Sequence, residues 1–241
     1  SLLVTVDLVD ARDGSQVWSK IFQVAESQLQ EMGDTVAGAV ASNLASQVNH
    51  ISLLRFARSV PGNAAAYDIW LKGHQLSRLW NAEADQTAEK LFTQAIDMDP
   101  GLACSYASLA SILNTRSIVR PGYRGQNSDR DMAFKHAQNA VSLDPFDSRN
   151  HINLAWSWLT MRSPERAHSH FRLAVELNPY DSETLIASAM GMAFLGHLQE
   201  AENWSTLAVQ LNPVHPEYFY GYIAAIRCLA GDYLGTSTTA E

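Results

Sequence analysis

A six-residue phrase recurs four times in this 241-residue chain, and its spacing limits the folds that the chain can adopt. The phrase reads AIDMDP, AVSLDP, AVELNP and AVQLNP, ending at Pro100, Pro145, Pro179 and Pro213. The last three prolines stand 34 residues apart, and the first interval is eleven residues longer. Because proline disfavours the α conformation in the residue before it, each phrase is expected to end a helix. A fixed period of this length is typical of a solenoid of stacked helical units.

Each period is long enough for two helices and a turn. Ser163 suits the N-cap of one helix, and Pro164 suits its first helical position. The spacing therefore predicts antiparallel helix pairs at 66–79 and 83–98, 103–116 and 129–143, 148–161 and 164–177, and 182–195 and 198–211.

The second helix of the third predicted pair carries Ala167, Phe171, Ala174 and Pro179 in a small, bulky, small, proline order. This order resembles the tetratricopeptide repeat, whose fold is a superhelix of 34-residue helix-turn-helix units. The corresponding residues of the other units are Ala88, Phe92, Ala95 and Pro100; Ala133, Ala137, Ala140 and Pro145; and Ala201, Ser205, Ala208 and Pro213. A fifth unit begins at Pro216, so the resemblance covers residues 64–233, about 4.5 repeats, with 234–241 as a tail.

Residues 1–60 follow a different pattern. Two β-branched and aromatic segments, 2–9 and 16–23, flank Asp13-Gly14 and predict a β-hairpin. Apolar residues then recur every three or four positions, which predicts a long helix at 26–52, and SVPGN at 59–63 reads as a linker. The three-residue spacing of Asp7, Asp10 and Asp13 does not match a helix-loop-helix calcium site. The fold class is therefore mainly α, preceded by part of a small α/β domain.

The segment LVDARDGSQVWSKIF carries Asp10, Gly14 and Trp18. It resembles the hairpin that closes a small α/β domain before such repeats in certain bacterial signalling proteins. Their upstream part is either a winged-helix DNA-binding domain or a class III nucleotide cyclase domain. Because ESQLQEMGDTV departs from the cyclase-linked pattern, the resemblance favours a transcriptional regulator. The alternative is the regulatory tail of a cyclase whose catalytic domain lies upstream of Ser1, and in either case we expect a truncated domain.

Composition and motifs argue against several functions. A net charge of -8 and a pI near 5.4 do not suit direct nucleic-acid binding. Two cysteines suit a reducing compartment, and no apolar run is long enough to span a membrane, so we expect a cytoplasmic location. The sequence contains no phosphate loop, HExxH or nucleophile elbow, and we expect no catalysis and no cofactor. No CxxC pair is present, and His168 and His170 lie about 200° apart on a helix, so we expect no metal site.

The resemblance implies that the first helix of each unit lines a concave groove. The positions that it assigns to the groove are Tyr67, Leu71, His74 and Ser77; Arg149, Ile152, Trp156 and Leu159; Glu183, Ile186, Met190 and Ala193; and Glu217, Tyr220, Ala224 and Arg227. Ile152, Trp156, Ile186 and Met190 replace the Lys/Asn/Arg clamp of chaperone-binding relatives. An apolar groove of this kind accepts an amphipathic helix or an extended segment of a protein partner. Packing of Trp156 and Met190 in the core explains these residues equally well.

Two other features concern partners. The insertion within 115–131 concentrates Arg116, Arg120, Arg124 and Arg130 with Tyr123. A solvated loop paired with local carboxylates is the favoured interpretation, and phosphate or nucleotide binding is the alternative. The predicted hairpin and long helix leave strand edges open, so we also expect a homo-oligomer that forms through residues 1–52.

Overall fold

A computed structural model of the chain describes residues 2–9, 16–24, 64–79, 81–118 and 127–232. Within these ranges it contains two strands and a series of helices. The strands are β1 (Leu2–Val9) and β2 (Gln16–Val24). The helices are α1 (Ala64–Ser77), α2 (Ala82–Met98), α3 (Ala103–Ile118), α4 (Asn127–Leu143), α5 (Ser148–Thr160), α6 (Pro164–Leu177), α7 (Ser182–Phe194), α8 (Leu198–Leu211) and α9 (Tyr218–Leu229).

The predicted helix pairs are confirmed, and every boundary agrees to within two residues. Each helix packs against the next one along the chain, and alternate helices α1, α3, α5, α7 and α9 also contact one another in succession. One detail differs at the start of α6. Ser163 occupies the N-cap position and Pro164 follows it, but the Ser163 hydroxyl makes no capping hydrogen bond.

The small residues of the repeat lie where helices cross. Alanines 88, 95, 133, 137, 140, 167, 174, 201 and 208 are fully buried. Because a small side chain lets two helix backbones approach closely, a bulky neighbour can fill the space beside the crossing. Phe92 and Phe171 do this and are also fully buried. The regular spacing of the sequence phrase is thus the spacing of the helix crossings.

Two glycines extend the same packing into the first helices of their units. A Cβ added at Gly73 would lie 2.7 Å from the ring of Phe92, and one added at Gly191 would lie 2.1 Å from the ring of Phe171. Such distances are too short for any side chain without movement of the ring. Glycine therefore lets α1 and α7 pack directly on these two phenylalanines.

Side-chain hydrogen bonds tie neighbouring first helices together. Trp70 Nε1 of α1 donates to Ser108 Oγ of α3 at 2.9 Å. Asn114 Nδ2 of α3 donates to Ser157 Oγ of α5 at 3.0 Å. The hydroxyls of Ser148 on α5 and Thr184 on α7 are 2.9 Å apart. These bonds fix the relative positions of the helices that form the inner wall of the solenoid.

The two strands pair antiparallel, with Leu2 opposite Val24 and Leu8 opposite Trp18, and the register shifts between Leu8 and Val9. The turn between them, the predicted helix 26–52, the linker 59–63 and the tail 234–241 lie outside the described residues. The truncated α/β domain therefore stays a prediction.

Candidate functional site: a groove lined by the first helices

A groove of about 270 Å³ runs along the inner wall of the solenoid. All five first helices contribute to its lining, and the second helix α2 adds Asp85. The lining is mixed, because it includes the rings of Trp70, Trp156, Tyr218 and Tyr222 as well as hydroxyl, amide and charged groups. The groove therefore offers both apolar and polar groups.

At one end of the groove, Trp70 is held by its neighbours. Its ring stacks on His74 with the centroids 5.1 Å apart, and its Nε1 donates to the carbonyl of Cys104 at 3.1 Å as well as to Ser108. Burial raises the pKa of the Cys104 thiol to about 12, so this cysteine is a neutral thiol at physiological pH. It lines the groove as a small apolar side chain and not as a nucleophile.

Two other lining residues, Arg149 and Asp147, form a bidentate ion pair. Arg149 Nε donates to Asp147 Oδ1 at 2.9 Å, and its Nη2 donates to Oδ2. Burial alone would raise the pKa of the Asp147 carboxyl, but the hydrogen bonds and charge of Arg149 outweigh it and lower that pKa. Asp147 also accepts from the backbone N–H of Arg149, which caps α5. The pair thus sets the start of α5 and places a guanidinium in the groove.

Three residues meet across the groove, and we call them the clasp. Arg78 directly follows α1, and its Nη1 lies 3.5 Å from Glu183 Oε1 on α7. The Arg78 guanidinium also lies 5.7 Å from the ring centroid of Tyr218 on α9. Burial, and then the carboxylate of Glu183, raises the pKa of Tyr218 far above its usual value, so its hydroxyl stays protonated. The Arg78 and Glu183 side chains are 43% and 47% exposed, so their ion pair is weak enough to open.

The structure places half of the sequence-assigned groove positions in the lining: His74, Ser77, Arg149, Ile152, Trp156, Glu183, Ile186 and Met190. Among these, Ile186 is fully buried and Met190 is 5% exposed, so both belong mainly to the core. Trp156 serves both purposes, because it is half-buried and packs edge-on against Phe171 and Phe194 with centroids 5.3 and 5.6 Å away. The expected apolar groove is accordingly more polar than the sequence indicated.

The remaining assigned positions lie elsewhere. Tyr67 and Ala193 are buried in the core, and Leu71 and Leu159 pack against it. In the last unit, Glu217, Tyr220, Ala224 and Arg227 are not among the lining residues, and Tyr218 and Tyr222 line the groove instead. Tyr220 is 47% exposed and packs on His215. The face that α9 presents to the groove therefore carries Tyr218 and Tyr222 and not the assigned positions.

Sequence reasoning assigned no groove residue to the second unit, although α3 contributes Cys104, Ala107, Ser108, Ser111, Ile112, Asn114, Thr115 and Ile118. It also missed Asn153 of α5 and the clasp residue Arg78. The groove positions used for the other units, applied to α3, would have identified some of these lining residues. No sequence signal marks Arg78, because its role depends on how far the solenoid curves.

The basic insertion is described only at its ends. Arg116 lies on α3, is largely buried, and pairs with Glu89 of α2. This supports the interpretation in which the arginines pair with local carboxylates. Arg120, Tyr123 and Arg124 lie outside the described residues.

Comparison with solved structures identifies the architecture. A thermophilic TPR protein from Thermus thermophilus superposes with a TM-score of 0.57 over 72% of this chain and 87% of its own, at 17% identity. The chain has a TPR-like helical repeat fold. No family model matches the sequence. In the described part of this TPR-like chain, no helix combines the length and apolar character needed to cross a membrane.

Among curated proteins, the putative adenylate cyclase 3 of Rhizobium meliloti (strain 1021) is 24% identical over 165 residues. The match covers 68% of this chain but only 28% of the relative. The TPR-like chain thus spans little more than a quarter of the length of the relative that it matches.

Proposed function

We propose that the groove binds an extended segment of another polypeptide, and that the chain is a non-catalytic interaction and sensing module of a bacterial signalling protein. The observation that carries this proposal is the lining itself, which all five first helices share. A TPR-like helical repeat fold is consistent with protein–protein interaction, and a concave inner wall is the usual binding surface of such solenoids.

The lining chemistry suits a peptide. Half-buried Trp156 offers a ring to side chains, while Ser111, Thr115 and Asn153 offer hydroxyl and amide groups to a peptide backbone. The hydrogen bonds between first helices hold this wall in place before binding, which reduces the entropy lost on association.

The charges of the groove favour a peptide with few charged side chains. Arg78 and Arg149 are accompanied by Asp147 and Glu183, so each cation already has a carboxylate beside it. A nucleic acid would need an excess of positive charge, which this lining lacks in the described residues. A segment with few charges of its own avoids competing with these ion pairs.

An extended segment fits better than a helix. The clasp crosses the groove with a 3.5 Å contact between Arg78 and Glu183. An α-helix with its side chains is about 10–12 Å across and would have to open the clasp along its full width. An extended chain is thinner and can place alternate side chains against the wall.

Selection from a phage-displayed library of random peptides, followed by affinity measurement on the purified chain, tests this proposal. Ser111 is exposed and lines the groove, so Ser111→Arg should obstruct it and weaken the selected peptides by at least about tenfold. Ser169 is likewise an exposed serine within a helix, on α6, and it lies outside the groove lining. Ser169→Arg is therefore the matched control and should leave affinity unchanged. Equal binding by the wild type and Ser111→Arg, or a library that yields no binder, contradicts the proposal.

The parent protein is a separate part of the proposal. The hairpin resemblance favours a TPR-containing transcriptional regulator, whereas the relative named putative adenylate cyclase 3 supports the regulatory region of a nucleotide cyclase. Both parents are consistent with a cytoplasmic module. Reading the encoding gene on either side of this segment distinguishes them, since a winged-helix pattern supports the first parent and a class III cyclase pattern the second.

A further inference from the structure

Three potential metal ligands converge outside the groove, on the third and fourth repeat units. They are His168 on α6, His197 in the turn before α8, and Glu200 in the first turn of α8. One ligand atom of each side chain lies within 4.8 Å of the other two. The rings of His168 and His197 have their centroids 4.5 Å apart at an angle of 40°.

The convergence depends on the tertiary fold and not on the spacing of the histidines in the sequence. His168 and His170 do point to different partners, because His170 contacts His151 on α5, with their Nδ1 atoms 3.0 Å apart. His168 instead faces the start of the next unit. His197 occupies the N-cap position of α8, but its ring makes no capping bond, and Glu200 follows three residues later on the same side of the helix.

We propose that His168, His197 and Glu200 bind one divalent transition-metal ion of the Zn²⁺ class. Two imidazole nitrogens and a carboxylate oxygen suit Zn²⁺, Ni²⁺ or Cu²⁺, whereas Ca²⁺ and Mg²⁺ prefer oxygen ligands alone. Three protein ligands and one water complete the tetrahedral shell that Zn²⁺ prefers. The sequence-based expectation of no metal site rested on absent motifs, on the aspartate spacing and on the His168 and His170 pair, and it did not consider His197 or Glu200.

The side chains can close around an ion. Zn–N and Zn–O bonds of about 2.0–2.2 Å place tetrahedral donors roughly 3.4 Å apart, so ligand atoms within 4.8 Å of one another must approach by at most about 1.4 Å. His197 is exposed, and His168 and Glu200 are half-buried, which leaves their rotamers free to adjust. Glu200 also lies 3.9 Å from Arg172 Nε, one turn after His168. This loose pair keeps the carboxylate near α6 and is easily exchanged for a metal bond.

A bound ion would join α6 to the start of α8 and therefore the third unit to the fourth. Because the unfolded chain does not hold the three ligands together, binding should stabilise the folded state. The site is distinct from the groove, since none of its three residues is in the groove lining.

Metal titration of the full chain, without a polyhistidine tag and after treatment with EDTA, tests this inference. We expect one Zn²⁺ per chain by calorimetry, d–d absorption typical of tetrahedral coordination when Co²⁺ replaces it, and a raised melting temperature. His168→Ala and His197→Ala should each weaken Zn²⁺ binding at least about tenfold. Glu202→Gln removes an exposed carboxylate on the same helix outside the cluster, and it should leave binding unchanged.

Circular dichroism of each variant shows whether it folds, and the Co²⁺ spectrum of the wild type reports the ligand set independently of any variant. Wild-type chain that shows no tetrahedral Co²⁺ spectrum, or Zn²⁺ binding that is unchanged in the His168→Ala/His197→Ala double variant, overturns the proposal.

Discussion

Gly191 lies on α7 where the ring of Phe171 leaves no room for a side chain. An alanine Cβ there would lie 2.1 Å from the Phe171 ring, which is fully buried and cannot move aside freely. Alanine favours a helix over glycine by up to about 1 kcal/mol, but overpacking typically costs about 1–3 kcal/mol. We expect Gly191→Ala to lower the free energy of unfolding, measured by urea denaturation.

Gly221 provides the matched control for this change. It also lies within a helix, α9, but a Cβ added there meets nothing within 4 Å among the described residues. Gly221→Ala should raise the free energy of unfolding by roughly 0.5–1 kcal/mol through helix propensity. An equal rise in the free energy of unfolding for Gly191→Ala and Gly221→Ala would contradict the close packing of α7 on Phe171.

The contact between His151 and His170 makes stability depend on pH. His151 Nε2 lies 2.9 Å from the carbonyl oxygen of Pro145, so it donates, and His170 Nδ1 must donate to His151 Nδ1. Burial first, and the neighbouring His151 second, lower the pKa of His170 below 6.5. The folded state therefore binds fewer protons than the unfolded state just below that pH. The contribution of His170 to stability is therefore complete above its pKa in the unfolded state. It is lost as the pH falls through its lower pKa in the folded state.

Melting temperatures at pH 7.5 and pH 5.5 check this prediction. The wild type should melt at a lower temperature at pH 5.5, and His170→Gln should show a smaller difference between the two pH values. The pKa of His136 is also lowered, by burial and then by Lys135, so part of the pH dependence should remain in the variant. An undiminished difference in His170→Gln would show that this pair does not contribute.

At the scale of whole elements, two turns between paired helices contain a left-handed residue. Gly196 has φ of 84° after α7, and Arg162, 34 residues earlier, has φ of 58° after α5. A residue with a Cβ pays roughly 1–2 kcal/mol to adopt this conformation. Glycine avoids this cost but loses more conformational entropy on folding, so it recovers only part of the difference. We expect Arg162→Gly to raise the free energy of unfolding by roughly 0.5–1 kcal/mol in urea denaturation. The reverse change, Gly196→Ala, should be destabilising, and a reversal of both of these signs would refute this role.

The helices could be predicted because local signals mark both their ends and their crossings. Pro145, Pro179 and Pro213 stop the second helices, and the alanines at the crossings recur with the same period. These signals act over a few residues and do not depend on how the units curve. The helix boundaries therefore followed from the sequence almost unchanged.

The groove could be predicted only in part, because one helix face serves both the core and the groove. When the 34-residue units are aligned, Ile186 and Trp156 fall within one helical turn of each other. Ile186 is nevertheless fully buried, whereas Trp156 is half-buried. Both residues line the groove, and how much of each is exposed there depends on the neighbouring unit. The Arg78–Glu183 contact joins residues more than a hundred positions apart, and the clasp depends on the curvature of the solenoid. No local sequence pattern encodes a contact between residues so far apart in the chain.

At the scale of the whole molecule, we predict that the chain has no catalytic activity of its own. Among the described residues of the groove lining, the one thiol is Cys104, whose pKa burial raises to about 12, and Asp147 is already paired with Arg149. Neither group is ready to act as a nucleophile or a general base at neutral pH. Assays of the purified chain for cyclase, ATPase and esterase turnover should stay at background. Activity that survives further purification and disappears in a point variant would contradict this prediction.

Self-association through residues 1–52 is the last prediction at this scale. In the described part of the chain, strands β1 and β2 pair only with each other, and no described strand pairs with the outer edge of either. A two-stranded ribbon is at best marginally stable alone in water, and an open strand edge can pair with a second chain. The predicted helix 26–52 can cover one face of the ribbon but not both edges. A two-fold dimer through this region is therefore expected.

Light scattering at tens of micromolar chain measures the oligomeric state directly, and a monomer would refute the dimer. Deletion of residues 1–60 should give a monomer that keeps its helical circular dichroism, because the described core contacts lie within residues 66–226. Leu8 pairs with Trp18 across the ribbon, so Leu8→Lys should weaken the dimer if the ribbon forms the interface. Ser169→Arg on the exposed surface of α6 serves again as the control and should leave the oligomeric state unchanged. A dimer that survives the deletion would place the interface on the repeats.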